Sequence, residues 1–109
     1  MKVNVIIKTE FEAVHCWPDC PLEAVSFLRN KHRHIFKVTC KAGVTHTNRD
    51  IEFIMLKRAV EQYLRSTYDK KDIGGMSCEM ICKDLLDAFP VLNYVCVEED
   101  GENGAEVVR

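Results

Sequence analysis

The chain begins with a stretch in which β-branched and aromatic side chains recur among polar ones. Val3-Asn4-Val5-Ile6-Ile7-Lys8-Thr9-Glu10-Phe11-Glu12-Ala13-Val14-His15 predicts a long first strand. From His34 to Val44 the alternation is cleaner. His34, Phe36, Val38, Cys40 and Ala42 share one face by period two, and Ile35, Lys37, Thr39 and Lys41 form a mostly wet opposite face. Between these runs, Cys16 to Asn30 carries Trp17-Pro18-Asp19-Cys20-Pro21. Two prolines so close block regular structure, so this is a loop with room for one helical turn at Leu22 to Leu28.

After the polar turn Thr47-Asn48-Arg49-Asp50 the period changes. Phe53, Leu56, Val60, Tyr63 and Leu64 recur at three- and four-residue spacing, the apolar stripe of a helix running to about Thr67. Asp69 to Gly75 reads as a polar loop. Ser77 is placed to cap a second helix, with Glu79 in the first turn where the helix dipole favours a carboxylate. Met80, Ile81, Leu85, Ala88 and Phe89 face inward, and Pro90 closes that helix. Val91 to Val97 predicts a third strand, Asp100 to Gly104 a hairpin loop, and Ala105 to Val108 a short fourth strand. The expected architecture is ββααββ, an α+β domain with an antiparallel four-stranded sheet and two helices on one face. Such a sheet has edges to cover, and assembly with further copies is one common solution.

At 109 residues with 47% hydrophobic composition, the chain suits a single domain spanning 1–109. A net charge of −2, with both signs interspersed, offers no basic face for nucleic acid and no polybasic segment for membrane. No run approaches the roughly 18 apolar residues that a membrane span needs. The start lacks the pattern of a secretory signal, which points to the cytoplasm and to six free thiols rather than three disulfides.

His32-Arg33-His34 is the segment with the clearest chemistry. Residues i and i+2 of a strand project to one side, so both imidazoles can reach a common ion. His15 ends the preceding strand and joins them if the two strands pair across the 16–31 loop. Three neutral imidazoles suit zinc and leave a fourth position for water or substrate. A plainer reading also fits: Lys31-His32-Arg33-His34 as a solvated basic turn, and His15 as a core histidine with its hydrogen bond satisfied. Cys16 and Cys20, and likewise Cys78 and Cys82, are four apart and lack the spacing of a zinc knuckle. Glu99 shares a face with Val95 and Val97. A carboxylate there can accept two N–H bonds from a guanine-like or pterin-like ring, although charge runs such as Glu98-Glu99-Asp100 are usually solvated loops.

Taken in order, five segments resemble the 6-pyruvoyl-tetrahydropterin synthase and 6-carboxytetrahydropterin synthase family, whose subunits have the tunnelling fold. Phe11-Glu12-Ala13-Val14-His15 is similar to that family's Phe-x-Ala-x-His, and His32-Arg33-His34 to its His-Gly-His. Glu52-Phe53-Ile54-Met55-Leu56-Lys57 is similar to Asp-Phe-x-x-Leu-Lys, and Met76-Ser77-Cys78-Glu79-Met80 to Pro-Thr-x-Glu-Asn. Val95 to Asp100 is similar to the final strand motif, whose glutamate anchors the substrate ring. The resemblance implies zinc on His15, His32 and His34, a ring anchor at Glu99, and Ser77 in place of the threonine beside the pocket. It also implies a homo-oligomer, with trimers stacked into hexamers.

The departures are equally specific. The family's catalytic cysteine, a few residues before its His-Gly-His, has no counterpart in Ser26-Phe27-Leu28-Arg29-Asn30-Lys31. Its Asp-His pair between the helices is also missing, since Ser66 to Gly75 holds Asp69 and Asp72 but no histidine. Arg33 stands where the family has glycine. Cys16 and Cys20 are the remaining candidates for a base. The expectation is a protein that keeps metal and pocket for a pterin- or purine-like ligand but has lost or changed the synthase reaction. The alternatives are an active lyase on dihydroneopterin triphosphate and a non-catalytic oligomer that sequesters a nucleotide.

Overall fold

The computed structural model describes residues 1–109. Two 13-residue strands, β1 (Val3–His15) and β2 (His32–Val44), pair antiparallel in one unbroken register from Val3 opposite Val44 to His15 opposite His32. The loop between them carries a 3₁₀ helix over Glu23–Arg29, at the place where the two prolines left room for a helical turn.

Helix α1 (Phe53–Thr67) starts at Glu52, whose carboxylate accepts from the backbone N–H groups of Ile54 and Met55. That interaction satisfies two of the donors that a helix start leaves open. Leu56, Val60 and Leu64, one turn apart, are its buried stripe. Helix α2 (Cys78–Ala88) starts at Ser77, whose hydroxyl accepts from Met80 N–H at 3.1 Å. It buries Ile81, Cys82, Leu85 and Leu86 and stops two residues before Pro90.

The sheet has five strands rather than the four expected. Between the helices, Lys71–Asp72 forms β3, which pairs parallel with Ala13 and Val14 of β1. Two residues in a polar stretch have no periodicity to detect, and only their partner on β1 defines them. Strands β4 (Leu92–Glu99) and β5 (Asn103–Val108) complete the order β3-β1-β2-β4-β5, with every pairing except β1 with β3 antiparallel.

Both helices contribute to one cluster of 19 buried residues on a single face of the sheet, including Phe11, Phe36, Val38, Val60, Leu64, Ile81 and Val97. The opposite face shows Ile6, Lys8 and Glu10 to solvent. Fully burying a side chain such as Leu64 contributes about 2 kcal/mol. A polar clamp joins the helices: the Tyr63 and Tyr68 hydroxyls both donate to the Asp84 carboxylate, at 2.8 and 2.5 Å. No helix is long and apolar enough to cross a membrane.

The inward face of β1, β2 and β4 continues past the core cluster. There period two brings up His15, His34, His32 and Glu99 instead of apolar residues.

Candidate metal centre

The antiparallel register sets His15 directly opposite His32, and His34 opposite Ala13. His34 is two residues from His32 along β2, so all three rings project to one side of the sheet. Their centroids are 4.6, 5.0 and 5.3 Å apart. Phe36 stands edge-on to His15 and His34, with centroids at 5.2 and 5.7 Å, and forms an apolar floor. One ligating nitrogen from each ring lies within 4.8 Å of the other two. A point common to all three is then at most about 2.8 Å from each, so contraction to imidazole–metal distances takes at most about 0.7 Å per ring. This group could hold a metal ion.

Hydrogen bonding decides which nitrogen each ring offers. His15 Nδ1 lies 2.8 Å from the Met76 carbonyl, and His32 Nδ1 lies 2.8 Å from the Asn30 carbonyl. A carbonyl only accepts, so both Nδ1 atoms carry the proton. His34 Nδ1 donates to Asp100 Oδ2 at 2.7 Å, and the other oxygen of that carboxylate accepts from Ile35 N–H at 3.0 Å. The His34 hydrogen bond, then the Ile35 N–H, holds the Asp100 carboxyl below the usual carboxylate range, so it serves as an ionised acceptor. With Nδ1 committed in each ring, Nε2 is the nitrogen left to meet an ion. An oxygen acceptor behind every ligating histidine is the arrangement that fixes tautomer and aim at metal sites.

His15 supplies the sharpest test of fit. It is only 7% exposed, and its Nε2 is buried with no hydrogen-bond partner. Glu99 Oε2 is 3.0 Å from that nitrogen, but the carboxylate is too far off line to form a hydrogen bond. A buried polar atom without a partner costs about 1–3 kcal/mol, and native structures rarely leave one unexplained. A cation between the rings satisfies it. Three neutral imidazoles are donors of borderline softness, suited to a divalent transition ion.

A cavity of about 540 Å³ adjoins the rings and is lined by His15, Cys16, His32, Ser77, Cys78 and Glu99 among others. Ser77 borders it, but its hydroxyl is engaged as the cap of α2. Burial, reinforced by Glu99 and other nearby groups, pushes the Cys78 thiol up to about 12, so it stays protonated at neutral pH. The two cysteine candidates part company. Cys16 is half-buried on the cavity wall, next in sequence to His15. Cys20 is buried in the 3₁₀ loop with its sulfur against the Leu22 and Val25 carbonyls, and it does not line the cavity. Asp69 and Asp72 serve the backbone, accepting from Glu12 N–H and Gly74 N–H, and Asp72 also pairs with Lys31 at 2.5 Å. His46 stands apart, with Asp50 at 3.6 Å.

Two supporting groups had no reading at the site from sequence. The sequence pattern puts Asp100 in the hairpin loop, yet it orients His34. The signal was its place directly after a strand that pairs with the histidine strand. The Met76 carbonyl, being backbone, leaves no side-chain signal. Its position depends on β3 and on the hydrogen bonds Ile73 N–H to Val14 O and Cys16 N–H to Gly74 O, which fasten residues 71–74 along the end of β1. No protein-family model matches the chain, and no curated protein matches it in sequence.

Proposed function

We propose that this chain binds zinc through His15, His32 and His34 and admits a pterin- or purine-like ligand to the adjoining cavity. On this reading it is a divergent relative of the 6-pyruvoyl-tetrahydropterin and 6-carboxytetrahydropterin synthases, built on a tunnelling-fold subunit. The observation that carries the proposal is the convergence of one ring nitrogen from each of three histidines beside a cavity bordered by a carboxylate. In this role Glu99 accepts hydrogen bonds from the N–H edge of the ligand ring, and the start of α2 at Ser77 closes one side. The edge of β1 that the two-residue β3 leaves uncovered, and the outer edge of β5, support a homo-oligomer, trimeric or hexameric; the compartment we assign is the cytoplasm.

Calorimetric titration of zinc-loaded protein with dihydroneopterin triphosphate and with guanine nucleotides tests this reading. Saturable binding that disappears in His32→Ala is expected, and absence of binding by all of these ligands overturns it.

Cys16 on the cavity wall favours a second reading, an active lyase. Bound zinc would polarise the oxygens of the substrate side chain and acidify its hydroxyls. Cys16 would then accept a proton from the side-chain carbon, a base role that requires reach and a matched pKa. Turnover of dihydroneopterin triphosphate that vanishes in Cys16→Ser supports this reading. Recovery of unmodified ligand with no turnover leaves a binding or sequestering protein.

A further inference from the structure

The carboxylate of Glu99 lies against His15 and His34. Oε2 is 3.0 Å from His15 Nε2, and Oε1 is 3.7 Å from His34 Nε2. Both rings have their protons on Nδ1, committed to Met76 and Asp100. The Glu99 carboxylate therefore faces both Nε2 atoms at separations that a shared cation would span. A cation there, whether a metal ion or a proton on Nε2, offsets the charge of the carboxylate.

We propose that Glu99 is itself a ligand of the bound metal in the ligand-free protein, closing the centre as three histidines and one carboxylate, and that an incoming molecule must displace it. The inference rests on the metal reading above and adds the state of the fourth position.

The backbone supports a fixed carboxylate rather than a wandering surface side chain. Glu99 pairs with Phe36 at the end of β4, and the next residue is pinned twice to β2. Asp100 N–H donates to Ile35 O at 2.8 Å, and the Asp100 carboxylate holds Ile35 N–H and His34 Nδ1. Asp100 has φ of 56°, a left-handed conformation that turns the chain sharply there. Two consecutive residues thus serve the same ring from opposite ends, Asp100 at Nδ1 and Glu99 at Nε2.

Glu99 is also free to leave. Its side chain is 30% exposed and borders the cavity, so rotation carries the carboxylate from metal to cavity without disturbing β4. Displacement sets a two-part requirement on the ligand. It must offer the metal an oxygen or nitrogen donor that outcompetes a carboxylate, and it must offer N–H groups to the carboxylate it has freed. A ring with adjacent N–H donors and a chelating side chain meets both. A simple anion meets only the first.

The test compares full-length wild type with Glu99→Gln, Glu99→Ala and Glu99→Asp. Zinc affinity is read by competition with a chromophoric chelator, and coordination by the visible bands of the cobalt-substituted protein. Loss of the carboxylate in the Gln and Ala variants is expected to weaken zinc by about tenfold or more, at least the loss seen when an outer partner is removed. Their cobalt bands are expected to shift as water replaces carboxylate, and added acetate to reverse the shift in Glu99→Ala. The Asp variant tests the same point with charge retained and reach shortened, and is expected to bind more weakly than wild type. Wild type that binds zinc tightly, with all three variants equal to it in affinity and spectrum, overturns the role of Glu99 and leaves the metal reading standing. A sulfur-to-cobalt charge-transfer band in wild type overturns it in favour of Cys16. Wild type that binds no metal overturns both together.

Discussion

Replacing His15 with leucine separates a ligand from a structural core histidine, because the two roles predict opposite results. In metal-free protein the substitution removes the Nδ1–H bond to the Met76 carbonyl, which costs about 1–3 kcal/mol with the carbonyl left behind. It also removes a buried, unpartnered Nε2, recovering a similar about 1–3 kcal/mol, and places apolar volume beside Phe36. The two changes nearly cancel, so metal-free His15→Leu should unfold within about 1 kcal/mol of wild type. The metal-loaded state differs. Free zinc at 100 times its dissociation constant stabilises wild type by about 2.7 kcal/mol, a Tm rise of about 12 °C for a domain of this size, and His15→Leu should gain nothing. Urea unfolding with chelator, and thermal unfolding with and without zinc, measure both quantities. A metal-free loss above about 3 kcal/mol in His15→Leu, with wild type indifferent to zinc, would refute the reasoning and make His15 a structural residue.

Asp100→Asn keeps an oxygen acceptor and tolerates the positive φ, but it removes the charge behind His34; zinc should bind about tenfold more weakly by chelator competition, and unchanged affinity would count against the orienting role. Tyr68→Phe removes a hydroxyl that donates at 2.5 Å to Asp84 from a ring only 5% exposed, and should cost about 1–2 kcal/mol in urea unfolding, less if Tyr63 alone holds the carboxylate. Burial pushes the Cys40 thiol up to about 12 and the Cys82 thiol up to about 11. Groups whose folded pKa is raised hold their stability below the unfolded value and lose it as pH climbs through the folded one. Unfolding free energy should therefore be level up to about pH 8.5 and decline steadily toward pH 11, and a flat profile across that range would contradict these burials.

Most of the elements were legible in the pattern of side chains. Period two marked β1 and β2, a three- and four-residue period marked α1, and Ser77 marked the start of α2. These signals are local. A strand face is chosen every second residue and a helix stripe every turn, so neighbours in sequence carry the information. Where pairing rather than pattern made the element, the reading fell short. The apolar run Val91 to Val97 ends at charged residues, but β4 continues to Glu99 because Glu98 and Glu99 pair with Lys37 and Phe36. The strand Lys71–Asp72 exists only through its contact with Ala13 and Val14.

The same division runs through the site. By itself the sequence determined that His32 and His34 share a side and that a partner strand ending in His15 could join them. It could also place a carboxylate on the inward face at Glu99. Tertiary structure alone decided which nitrogen each ring presents, because the acceptors behind His15 and His34 come from 61 and 66 residues away. It alone brought the Glu99 oxygens against those nitrogens, since that distance depends on the register of β4 on β2. Residue types set which donors exist, and long-range packing sets their direction, on which coordination chemistry depends.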